Sequence, residues 1–189
     1  MNIISNNCTA GWIYKQSGIQ YNNPFVFTIM TPKDFTNLIN NYDTLNFGNR
    51  EIRQEGTCYV ITIDGLVDIK YIHHKEKDVD TPYIKIERGD RNMYGRNMKD
   101  YILSAYDRRV SRMEGPPLFI ISEREHPREK GKYVVKYDAI RENLNTPYRI
   151  IVDSRSKTST RKVASSLLIK NDYIKKEITN EINNNRSKT

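Results

Sequence analysis

Short apolar runs alternate with polar breaks along this chain, and their spacing predicts strands and helices in turn. Met1 to Ser5 is a short apolar stretch, broken by the small polar residues Ser5 to Gly11, before Trp12, Ile13 and Tyr14 resume the apolar pattern. That sequence predicts strand, turn and helix. Pro24 to Met30, rich in aromatic and β-branched residues, predicts a second strand that stops at Thr31-Pro32. There a helix is predicted to start, because Thr31 can cap, Pro32 suits the first helical position and Asp34 falls in the first turn. Phe35, Leu38, Ile39 and Tyr42 then share one face.

Tyr59–Ile63 and Val67–Ile72 flank Asp64-Gly65, a turn signal that predicts a hairpin and delivers His73 and His74 to a strand end. From Asp90 to Met113 the pattern is helical, with Met98, Tyr101, Ile102, Ala105 and Val110 apolar, and Gly115-Pro116-Pro117 ends it. Leu118–Ser122 and Tyr148–Val152 read as strands, Asp138–Leu144 as a short helix and Val163–Ile178 as another, followed by a frayed tail. The alternation favours an α/β fold: a mixed, largely parallel sheet covered by helices in three layers, within a single domain. Its expected extent is residues 1–170, with residues 171–189 a terminal helix and basic tail.

Composition narrows the classes. Over 189 residues the chain is 37% hydrophobic and 10% aromatic, enough for a core despite a mean hydropathy of -0.74. No apolar run reaches the ~20 residues that span a bilayer, and the opening residues lack the pattern of a secretory signal. Two cysteines, Cys8 and Cys58, are expected as thiols in a reducing compartment, so a cytoplasmic location is expected. A formal charge of +8 favours an anionic partner, without choosing among nucleic acid, a nucleotide-linked donor and a membrane surface.

The segment Ser5-Asn6-Asn7-Cys8 follows a strand and precedes a helix, where open α/β sheets place ligands. Asn6 and Asn7 are suited to orient a sugar hydroxyl or an oxyanion, and a thiol at a helix start is activated toward thiolate. The plain alternative is that both asparagines cap the helix and Cys8 packs as a small hydrophobe. His73 and His74 are candidate bases or phosphate ligands, weighed against one exposed and one packed imidazole. Neighbours on a strand point oppositely, so they make a poor chelate, and no spacing elsewhere predicts a metal site.

Glu123 and Arg124, with Glu125 and His126, stand at another predicted strand end, against the alternative of a solvated charge run. Arg108, Arg109 and Arg112 lie in one predicted helix, where Arg108 and Arg112 at i,i+4 can hold phosphate or carboxylate. An exposed face salt-bridged through Asp107 is the alternative. Arg155 to Lys162 alternates cations with small donors, as a nucleic-acid or phosphate patch does, and as a soluble loop also does.

These residues, taken in order, resemble a bacterial family catalogued as domain of unknown function 1919, found among exopolysaccharide and capsule biosynthesis proteins. The resemblance lies in Ser5-Asn6-Asn7-Cys8, then Gly11, Tyr14, Gly18, Tyr21, Pro24-Phe25 and Asp34-Phe35, then Asp68-Ile69 and His73-His74-Lys75. Ala105 to Arg112 is similar to that family's Trp-Asn-Arg-Arg-x-x-Arg helix, with Tyr106 where tryptophan is expected, and Leu118-Phe119-Ile120 with Glu123-Arg124 would follow. It covers residues 3 to 126.

The resemblance implies a cytoplasmic accessory or transferase role in surface-glycan assembly, on a nucleotide- or lipid-linked precursor. Under it Cys8 would be nucleophile or close contact, His73 or His74 the base, Asn6 and Asn7 substrate contacts, and Arg108, Arg109 and Arg112 anion clamps. No cofactor is specified. The competing expectations are a basic nucleic-acid-binding module without catalysis, resting on the charge and the tract from Arg155 to Lys162, and an oligomerising component with tyrosine-rich contacts.

Overall fold

A computed structural model describes residues 2–17, 20–56, 58–71, 98–123 and 144–153 of the chain. The element order is β1 (Asn2–Ser5), α1 (Thr9–Ser17), β2 (Thr28–Ile29), α2 (Pro32–Asn41), β3 (Arg50–Glu55), β4 (Cys58–Ile63), β5 (Val67–Tyr71), α3 (Met98–Val110), β6 (Pro117–Ser122) and β7 (Ile150–Asp153).

The expected helix-covered, three-layer, largely parallel sheet is not what forms. The strands divide between a parallel sheet of three, in the order β1-β6-β7, and an antiparallel sheet of four, in the order β2-β5-β4-β3, with three helices among the described residues. Tight turns are the physical reason. Asp64 and Gly65 both adopt positive φ, at 53° and 68°, and the Leu66 amide donates to the Ile63 carbonyl at 2.9 Å, so β4 returns directly as β5. A second turn at Gly56, φ 58°, folds β3 onto β4. Chain reversals this short can join only antiparallel neighbours, and they draw three strands out of any parallel arrangement.

The parallel sheet is buried on both faces, which is why β6 reads as an unbroken apolar run. On one face Ile3, Leu118, Ile120 and Ile151 pack with Ala10, Ile13 and Tyr14 of α1. On the other, Ile4, Phe119 and Ile121 share a core with Ile61, Ile63, Val67 and Ile69 of the antiparallel sheet, Phe35, Leu38 and Ile39 of α2, and Ile102 and Tyr106 of α3. Thr31 caps α2 as its sequence predicts, its hydroxyl accepting from the Asp34 amide at 3.2 Å.

Two expected elements change. The strand expected over Pro24–Met30 shortens to Thr28–Ile29, because Asn23 takes over the backbone before it. Its side chain donates to the Ile3 carbonyl and the Tyr14 hydroxyl, both at 3.0 Å, and accepts from the Phe25 amide at 3.1 Å. β3 has no counterpart in the sequence pattern, since Ile52 is its one apolar residue. Helices expected over Asp138–Leu144 and Val163–Ile178, and the tail from residue 171, lie outside the described residues apart from Leu144, which is not helical.

Candidate functional site

All three strands of the parallel sheet run the same way, so Ser5, Ser122 and Asp153 end on one edge. The turn from β1 into α1 closes over that edge. Its strong local hydrogen-bonders are consumed by the backbone around them. Ser5 Oγ donates to the Asn7 carbonyl at 2.5 Å and accepts from the Ala10 amide at 2.8 Å, while Asn7 Oδ1 accepts from the Thr9 amide at 3.0 Å. Two amides at the start of α1 are thereby satisfied from within the turn.

Asn6 has no exposed surface and is engaged at both ends of its side chain. Nδ2 donates to the Ser122 carbonyl at 3.0 Å and Oδ1 accepts from the Ser122 amide at 2.7 Å. Its own carbonyl accepts from the Met30 amide at 2.9 Å, so one residue joins the ends of β1 and β6 to the chain leaving β2. Half-buried Glu123 follows Ser122 directly, one residue beyond the backbone that the Asn6 side chain holds.

Cys8 is 9% exposed, in an apolar cluster with Ile3, Ala10, Ile13, Tyr14, Phe27 and Ile120, and it is not disulfide-bonded to Cys58. The turn thus combines asparagine capping with a cysteine packed against hydrocarbon.

The arginines gather elsewhere. α3 ends at Val110 and leads into Pro117, which is paired with Asn2 at the amino end of the parallel sheet, opposite the edge that carries Asn6, Asn7, Cys8 and Glu123. Arg109, 8% exposed, stacks its guanidinium 5.5 Å from the Tyr21 ring centre, and Arg112 Nη1 donates to the Tyr21 carbonyl at 3.5 Å. Arg112 lies beyond the last helical turn, so it converges with Arg109 on Tyr21 instead of sharing a helix face with half-buried Arg108. Asp107 pairs with Arg50 of β3. His73, His74, Arg124 and the tract from Arg155 to Lys162 lie outside the described residues.

Two contributors went unassigned in the sequence: Ser5, whose hydroxyl shapes the turn, and Ser122, whose backbone Asn6 grips. The available signal was a Ser-Asn-Asn run directly after an apolar strand, since such side chains bond nearby backbone. Asp34 and Asp68, both within the motifs of the resemblance, also meet, the Asp68 amide donating to Asp34 Oδ1 at 3.2 Å. Among the described residues no group of His, Cys, Asp and Glu side chains is placed to hold a metal, and no helix is long and apolar enough to cross a membrane.

Residues 1–91 match the model of a family described as a domain of unknown function (DUF1919). That span includes the Ser5–Cys8 turn, Asp34, Asp68 and both histidines, and stops before α3 and β6. No match was found among curated proteins, and none among solved structures.

Proposed function

We propose that the carboxyl edge of the parallel sheet binds a glycan precursor through its sugar hydroxyls, and that the chain is a small transferase of cell-surface polysaccharide assembly. The observation that carries this reading is the two-point grip of Asn6 on Ser122, which ties the Ser5–Cys8 turn to the end of β6, one residue before Glu123. A carboxylate and a neighbouring amide suit hydroxyl groups, which donate and accept at once. Phosphate is the weaker fit at this spot, because the Thr9 and Ala10 amides that would receive it are already bonded to Asn7 and Ser5.

In this reading Asn6 positions the edge, Asn7 and Glu123 contact the sugar, and Cys8 packs beneath them. Glu123, His73 or His74 takes the proton from the acceptor hydroxyl as its oxygen bonds the transferred group and the nucleotide or lipid phosphate that carried that group departs with the electrons of the broken bond. The test is calorimetric titration with a panel of nucleotide sugars, the matching free nucleotides and short oligonucleotides. Nucleotide sugars should bind more tightly than the bare nucleotides, with Glu123→Gln weakening them roughly tenfold, the size of one lost charge-assisted hydrogen bond, and Arg108→Ala leaving them unchanged. Absence of sugar-dependent binding, or binding indifferent to Glu123→Gln, overturns the assignment. Salt-sensitive oligonucleotide binding in its place would favour the nucleic-acid module.

A further inference from the structure

β3 is an edge strand: among the described residues it pairs with β4 on one side and with nothing on the other. Which of its backbone groups point outward is fixed by the ladder. The Asp64 amide donates to the Asn49 carbonyl at 2.8 Å, just beyond the Arg50–Ile63 pair. Antiparallel pairs alternate between bonded and non-bonded, so Glu51, Arg53 and Glu55 turn their amides and carbonyls toward β4. Arg50, Ile52 and Gln54 turn theirs away from it.

Natural edges are commonly blunted by charge. This one is charged with alternating sign, which leaves it complementary to itself. We infer that the outer edge of β3 pairs antiparallel with the β3 of a second copy of this chain, Ile52 opposite Ile52 across a two-fold axis. In that register Arg50, Ile52 and Gln54 face Gln54, Ile52 and Arg50, so every outward amide and carbonyl meets a partner. Glu51 then stands opposite Arg53, twice, in the closely spaced non-bonded pairs where side chains interact most.

Charge selects this alignment over its neighbours. A slip of two residues one way sets Glu51 against Glu51, and the other way sets Arg53 against Arg53. A slip of one residue turns outward backbone groups against inward ones and forfeits the hydrogen bonds. Arg53 already bonds Glu55, Thr62 and Asp68 within its own chain, but these bonds are solvent-exposed, so Glu51 of the second copy can exchange for Glu55 at the guanidinium. Ile52, half-buried against the core, would extend the apolar face of the sheet across the axis into a continuous one of eight strands.

The experiment is sedimentation equilibrium on the full chain over a wide concentration range, with three variants. The wild type should show a monomer–dimer equilibrium that weakens as salt rises. Glu51→Arg, at an exposed side chain with no ion pair among the described residues, should raise the dimer dissociation constant at least about tenfold, since both cross-strand pairs become repulsive. Gln54→Pro removes an outward amide without taking a ladder bond from β4, and should abolish the dimer while circular dichroism stays native. Glu51→Gln should give an intermediate constant. A wild type that stays monomeric, or a dimer that survives Glu51→Arg or Gln54→Pro unchanged, overturns the inference.

Discussion

Asn6 and Ser122 exchange two hydrogen bonds, side chain to backbone, at 3.0 and 2.7 Å, across 116 positions of sequence. The pair extends the β1–β6 ladder where main-chain pairing stops, with a side-chain amide standing in for a peptide. Asn6→Ala would strand a buried amide and a buried carbonyl at once, costing about 2–4 kcal/mol. Asn7→Ala removes the partner of the Thr9 amide at a more exposed helix start and should cost about 1 kcal/mol. Urea denaturation of both variants checks the ordering; equal losses would mean that Asn6 is no joint.

A steric prediction concerns the same helix. A Cβ on Gly11 would lie 2.6 Å from a ring carbon of Phe27, far inside van der Waals contact. Phe27 cannot yield easily, since its ring also meets Tyr21 edge-on at 5.7 Å and its backbone sits at φ 58°. Gly11→Ala should therefore destabilise by about 1–3 kcal/mol even though alanine is the better helix former. Combined with Phe27→Leu, the losses should fall short of additive, and strict additivity in thermal denaturation would remove the clash as the cause.

The elements most legible in the sequence were those whose signals are local. Thr31-Pro32 starts α2, Asp64-Gly65 turns β4 into β5, and the apolar run Leu118–Ser122 is β6, because capping, turn and burial chemistry act within a few residues. The arrangement of strands was not legible, since whether β5 lies beside β2 or joins the parallel sheet depends on contacts between distant segments. β3 was invisible for another reason: an edge strand with an exposed face has no need of apolar alternation. At the candidate site, the polar turn is legible in the sequence, but the hydrogen-bond partner of each side chain is not. Asn6 points into the protein to hold Ser122, and no local rule separates that from pointing outward to a ligand. Likewise Arg108, Arg109 and Arg112 stand out in the sequence as a cluster, while their placement at the amino end of the sheet follows from the chain's path into Pro117.

Alkaline stability should be set by buried phenols. Burial, helped by nearby Tyr148 and Asp43, pushes Tyr42 up to about 12 against the opposing hydrogen bond from Asn2, and burial drives Tyr14 and Tyr106 higher still. A raised folded-state value means that the stabilisation is complete below the ordinary phenol value of about 10 and is lost as pH climbs toward 12. Ultraviolet difference absorbance should show exposed tyrosines ionising first, and the buried ones only as the fold gives way. Tyr42→Phe keeps the ring against Phe47, Phe119 and Tyr148, so it should lose less stability between pH 10 and 12 than the wild type. An unchanged alkaline limb would exclude Tyr42 as a contributor.

Acid stability turns on β5. The hydrogen bonds from Arg53, at 3.2 and 2.6 Å, hold the Asp68 carboxyl below its ordinary 3.8, with Thr62 adding a bond at 2.6 Å and partial burial opposing the shift. A depressed value contributes stability that is present above 3.8 and disappears as pH falls through the folded-state value. The pair is exposed, so water and salt screen it, and the contribution should shrink in concentrated salt. Asp68→Asn keeps the amide that donates to Asp34. It should melt below the wild type at neutral pH, with the two melting temperatures converging as pH is lowered past 3.8. Parallel curves down to the acid limit would show that ionisation of Asp68 does not stabilise the sheet, and would leave Thr62 and Asp34 to account for the order of this strand.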